Sequence, residues 1–86
     1  MGTQRQIGRL ERINLTPGKA HAYVRVGGIL LHVCMANRGV LQKDGSIKPC
    51  VNGSRYDLLP VSSSIVLDIS SDSEGQRPFV VAWAPK

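Results

Sequence analysis

Lys19-Ala20-His21-Ala22-Tyr23-Val24 and Ile29-Leu30-Leu31-His32-Val33-Cys34 are two short apolar runs separated by little more than Gly27-Gly28. No other stretch limits the possible folds so strongly. Residues that alternate in polarity at every second position form a strand with one wet and one dry face. His21, Tyr23 and Arg25 then share one face, and Ala22, Val24 and Val26 share the other. Gly27-Gly28 can take the positive φ angles of a two-residue hairpin loop. The pair reads as a β-hairpin carrying two rings and a guanidinium on its outer side. Such a face suits single-stranded nucleic acid, because bases stack on rings and phosphates pair with cations.

The remaining segments extend this into a small all-β domain. Gln6 to Leu15 reads as a first strand with irregular apolar spacing at Ile7, Leu10, Ile13 and Leu15. That irregularity calls for a bulge near Gly8, and a helical stripe is the rival reading. Thr16-Pro17-Gly18 stops the run as a turn does. Ile29 to Met35 is the third strand, with Ile29, Leu31 and Val33 lining the core and Leu30, His32 and Cys34 opposite. From Ala36 to about Ser64 regular patterning is lost, and Asn37-Arg38-Gly39, Lys43-Asp44-Gly45 and Val51-Asn52-Gly53 read as turns. Ser54–Leu59 fits one capped helical turn ended by Pro60. Ser64 to Ser70 alternates as a fourth strand and Phe79 to Ala84 makes a fifth, with an acidic loop, Ser71–Gln76, between them. Trp83 and Phe79 then share a face and are expected in the core. Tyr56 fits a core anchor or a contact residue equally.

Five strands with a long connection between the third and fourth give the layout of a five-stranded antiparallel barrel of OB type. An SH3-like barrel fits nearly as well. With 86 residues the chain is expected to be one domain, 1–86, with a modest core. It has no run of roughly 18 apolar residues and no apolar leader after Met1, so a soluble, cytoplasmic protein with no membrane partner is expected.

The net charge of +5 is concentrated in one half of the chain. Residues 1–43 carry seven Arg or Lys against Glu11 alone, whereas residues 44–86 carry four against five acids. A basic half suits a polyanion, although it also suits a merely solvated surface. His21, His32, Cys34 and Cys50 match no compact zinc spacing, and no metal or cofactor is expected. Both thiols are expected reduced, with Cys34 a small sheet residue. His32 and Cys34 share a strand face, but no acidic partner is placed to orient them, so an enzyme is not expected.

In order along the chain, these strands resemble the cold-shock domain family. Its opening Gly-x-Val-Lys-Trp-Phe-Asn strand matches Gly8-Arg9-Leu10-Glu11-Arg12-Ile13-Asn14. Its Lys-Gly-Phe-Gly-Phe-Ile strand matches Lys19–Val24, and its Val-Phe-Val-His-x-Ser strand matches Ile29–Cys34. Ile65–Ile69 resembles the fourth strand, and Arg77-Pro78-Phe79-Val80 the last. A shorter likeness, over Gly28–Val33, is to another RNA-binding OB-fold family. Identities are confined to Gly8, Asn14, Lys19, His32, Asp68 and Pro78. Arg12 and Ile13 replace the family's first-strand aromatics, and Leu30 replaces its third-strand Phe. The resemblance implies single-stranded RNA or DNA binding with an altered ligand preference. The expected contact face holds Arg12, Lys19, His21, Tyr23, Arg25 and His32, with Arg38 and Lys43 following the backbone beyond it. The alternative is a protein-interaction or self-associating module using Ile13, Leu30 and Met35 as an apolar patch.

Overall fold

The alternation in the first hairpin is realised as two antiparallel strands of a larger sheet. A computed structural model describes residues 3–16, 18–50, 59–71 and 78–86. Within them β1 (Gln4–Asn14), β2 (His21–Val26), β3 (Ile29–Cys34), β6 (Ser64–Ser71) and β7 (Pro78–Pro85) form one antiparallel sheet. The strand order is β3-β2-β1-β6-β7, and the sheet curls into a half-barrel. Two further short strands, β4 (Gly39–Leu41) and β5 (Ile47–Pro49), form a separate hairpin inside the stretch expected to be irregular. Three-residue strands are too short for alternation to reveal them. The helical turn expected over Ser54–Leu59 and the acidic loop over Ser71–Gln76 lie outside the described residues, except for Leu59 and Ser71. Tyr56 lies outside them as well.

The inner face of the curl is the core. Leu10, Ala22, Val24, Val33, Met35, Ile65, Leu67, Val80 and Trp83 form one buried cluster. Each fully buried branched side chain contributes about 1.5–3 kcal/mol. Gly27 (φ 62°) alone of the two turn glycines takes a positive φ, as the first loop position of a II′-type hairpin demands. Gly8 serves a different purpose. A Cβ there would meet the Arg25 carbonyl oxygen at 2.6 Å, so glycine lets β1 press against β2.

Two bulges correct the side-chain directions expected from simple alternation. Leu10 pairs with Val24 and Arg12 with Tyr23, which makes Glu11, not the neighbourhood of Gly8, the extra residue of β1. On β7, Ile69 faces Val80 and Asp68 faces Ala82, leaving Val81 as the extra residue. A bulge reverses the parity of everything beyond it. Phe79 therefore turns outward at 47% exposure, while Trp83 is fully buried. Ile29 is exposed at 58% although it shares the inner face with Leu31 and Val33, because it sits on the hairpin end beyond the buried cluster. Met35 is buried and Ile13 half-buried, so of the expected apolar patch only Leu30 is exposed.

Beyond β3 a single turn of 3-10 helix, Met35–Asn37, carries the chain toward β7. Trp83 Nε1 donates to the Cys34 carbonyl at 2.8 Å, and Arg38 forms an isolated parallel bridge with Trp83. These contacts draw the two outer strands of the sheet toward one another. No helix among the described residues is long and apolar enough to cross a membrane.

Candidate nucleic-acid interface

The outer face of β1, β2 and β3 gathers most of the expected contact residues by strand register alone. Tyr23 lies between Arg12 on β1 and His32 on β3, and His21 lies between Asn14 and Cys34. The rings form a triangle. His21 and Tyr23 are 5.4 Å apart between centroids at 85°, His21 and His32 are 5.2 Å apart at 33°, and Tyr23 and His32 are 5.3 Å apart at 64°. The two contacts made by Tyr23 are edge-to-face, a geometry that is favourable between rings and fixes their orientation before any ligand arrives. His32 is exposed and the other two rings are half-buried. The triangle thus presents ring edges and faces to solvent.

Cations surround it on the β1 side. The Arg12 guanidinium carbon lies 6.0 Å from the centre of the Tyr23 ring, within cation–π range. Arg25 forms an ion pair with Glu11, and the guanidinium holds the Glu11 carboxyl below its ordinary pKa. Arg9 lies directly across from Arg25. Like charges opposite one another on a sheet are unfavourable, and Glu11 offsets that repulsion. Glu11, Arg12, Tyr23, Arg25 and Leu30 line a hollow of about 290 Å³. The bulge places Glu11 and Arg12, which are consecutive, in the wall of the same hollow.

His21 is anchored from behind. Its Nδ1 donates to the Lys19 carbonyl, which can only accept. The neutral ring therefore carries its proton on Nδ1 and leaves Nε2 as an acceptor. Lys19 itself is exposed in the turn between β1 and β2, where its backbone N–H donates to the Thr16 carbonyl at 2.9 Å.

Two expected contact residues are placed elsewhere. Arg38 is 7% exposed, with its guanidinium carbon 5.7 Å from the Trp83 ring centre on the inner side. The 3-10 turn directs it inward, so it is a packing residue rather than a surface cation. Lys43 is exposed in the β4–β5 turn, which Arg5 holds by donating to the Gly45 carbonyl at 2.6 Å. Arg5 is seven residues before Arg12 on β1, roughly 20 Å along an extended strand. The structure leaves Lys43 apart from the rings. Leu30 is on this face as the strand alternation predicts, whereas sequence reasoning missed Arg9 and Glu11 as parts of it. The irregular spacing in β1 was the available signal, and only the bulge position turns it into side-chain directions.

Cys34 is exposed beside His21, and Cys50 is buried. Among the described residues no group of three or more His, Cys, Asp or Glu side chains is arranged to hold a metal ion. No family model, curated protein or solved structure matches this chain.

Proposed function

We propose that this chain is an OB-type module that binds single-stranded RNA or DNA on the outer face of β1–β3. The observation that carries this reading is the ring triangle of His21, Tyr23 and His32, with Arg12 beside it. Nothing in the hydrophobic core requires three rings to stand together on the wet side of a sheet. A sequence-tolerant platform for bases does require it, because every base has a π face. The five-stranded, partly open curl supports the OB-type assignment, in which the face of the second and third strands is the usual nucleic-acid surface. The cold-shock resemblance points to the same surface.

The mechanism is binding without turnover. Arg9, Arg12 and Lys19 offset phosphate charge and release counterions, while the rings take up bases. The sheet is fixed by its core, so little ordering entropy opposes association. A cytoplasmic setting fits this role and belongs to the same proposal.

Fluorescence titration of labelled single strands of about nine nucleotides, at low and high salt, tests the reading. Binding is expected to weaken steeply with salt and to be lost in a His21→Ala/Tyr23→Ala double variant that keeps its β-sheet spectrum. Absence of binding at low salt, or unchanged affinity in that variant, overturns it. A salt-insensitive oligomer on a sizing column, without affinity for nucleic acid, replaces it with the self-association reading.

A further inference from the structure

One carboxylate stands on a face otherwise suited to polyanions. Glu11 is brought there by the β1 bulge, next to Tyr23, Arg12, Arg25 and Leu30 in the same hollow. A phosphate cannot be the group that Glu11 meets, because the two repel. Arg25 already donates to one Glu11 oxygen, and any further partner must donate as well, because the ionised carboxylate has only acceptors to offer. On a surface that stacks bases, the available donors are on base edges.

Resting on the nucleic-acid reading above, we propose that this hollow is a base-specific subsite for guanine, with Glu11 the specificity-determining residue. Guanine's Watson–Crick edge places two donors, N1–H and the N2 amino group, side by side, matching the two carboxylate oxygens. Next to them lies the O6 acceptor, which suits the guanidinium donors of Arg25 held beside Glu11 by their ion pair. Adenine sets an acceptor, N1, beside its amino group, and cytosine sets N3 beside its own. Uracil flanks its single N3–H with two carbonyls. Each of these three brings a lone pair against the carboxylate. The Tyr23 ring and the Arg12 guanidinium plane supply stacking surface, and Leu30 supplies apolar contact. A hollow of about 290 Å³ is roomy enough for a purine base.

The assignment changes the expected behaviour from indifferent binding to a preference at one nucleotide. In labelled oligouridine of about nine nucleotides carrying a single central substitution, guanosine is expected to bind at least about fivefold tighter than adenosine, cytidine or uridine. Inosine lacks the N2 amino group and is expected to lose part of that gain with the protein unaltered. Glu11→Gln is expected to flatten the preference, because it removes the paired acceptors that guanosine's two donors need. Equal affinity for all the oligonucleotides overturns the subsite but leaves the nucleic-acid reading standing. Binding to none of them overturns the nucleic-acid reading itself. If Glu11→Gln tightens every oligonucleotide by one common factor and the guanosine preference persists, Glu11 only shields Arg25, and the assignment fails.

Discussion

Among the described residues two arginines lie over aromatic rings, and their surroundings make them opposites. Arg38 packs 5.7 Å from the Trp83 ring centre, and both residues are buried. Arg12 packs 6.0 Å from the Tyr23 ring centre at the surface. The contact chemistry is the same in both. On the inner side the indole N–H is already satisfied by the Cys34 carbonyl, and the pair joins β7 to the end of β3. On the outer side the pair adjoins two imidazoles and faces water. Burial therefore separates a structural arginine–ring pair from one available to a ligand. The residue types alone do not.

The sharpest way to break this contrast is to truncate each ring. Trp83→Ala removes the largest fully buried side chain of the core. A loss of about 3–5 kcal/mol is expected, a large share of the roughly 5–15 kcal/mol available to a folded domain. Urea or thermal unfolding reads it directly, and a variant as stable as the parent would deny Trp83 its role. Tyr23→Ala is expected to leave the melt nearly unchanged and to weaken single-strand binding about five- to 150-fold, the effect of losing one stacked base. Reversal of the two outcomes would mean that the sheet's faces have been assigned the wrong way round.

Gly8→Ala probes the same sheet from its backbone. The added methyl group would press on the Arg25 carbonyl and on the Val24 side chain. Overpacking of this kind costs about 1–3 kcal/mol, and it would also disturb the register that sets Tyr23 beside Arg12. Stability and affinity should fall together, unlike either ring truncation. A melt unchanged from the parent would show that β1 and β2 are less closely pressed than the geometry has them.

The hairpin of β2 and β3 was legible because strict alternation needs no knowledge of its neighbours. Ala22 and Val24 are inside, and His21, Tyr23 and Arg25 are outside, as period two requires. The same arithmetic failed on β7, where the extra residue Val81 separates Phe79 from Trp83. It also failed to place Glu11, because a bulge depends on how the partner strand runs. Arg38 reads as a surface turn residue between Asn37 and Gly39, and only the approach of β7 buries it. The candidate face was thus visible where local periodicity governs it. It was hidden where pairing between distant strands decides direction.

The charged residues sharpen the comparison by a smaller margin. Arg12→Gln is expected to reduce the slope of log affinity against log salt by about 0.7, the value for one phosphate on a single strand. Lys43→Gln is expected to change it less, since the β4–β5 turn is tied to the other end of β1. Arg38→Met is expected to lower stability by about 1–2 kcal/mol through the lost ring contact, with the salt slope unchanged. An equal slope change from all three variants would show a diffuse basic surface in place of a defined face.

The smallest expected effect is the pH dependence of the outer face. Arg25 holds the Glu11 carboxyl below its ordinary pKa, chiefly through their hydrogen bond. In the unfolded chain Glu11 returns to the ordinary value and binds its proton at higher pH. The folded state then carries fewer protons across that interval, so this contribution is present above the unfolded pKa. It is lost as pH falls through the lowered, folded value. Both side chains are exposed, and screening keeps the contribution slight. Urea melts taken from about pH 7 down to about pH 3 should show a shallower acid loss in Glu11→Gln than in the parent. Coincident profiles would mean that the ion pair orders the hollow without stabilising the fold, leaving Glu11 to act through its ligand alone.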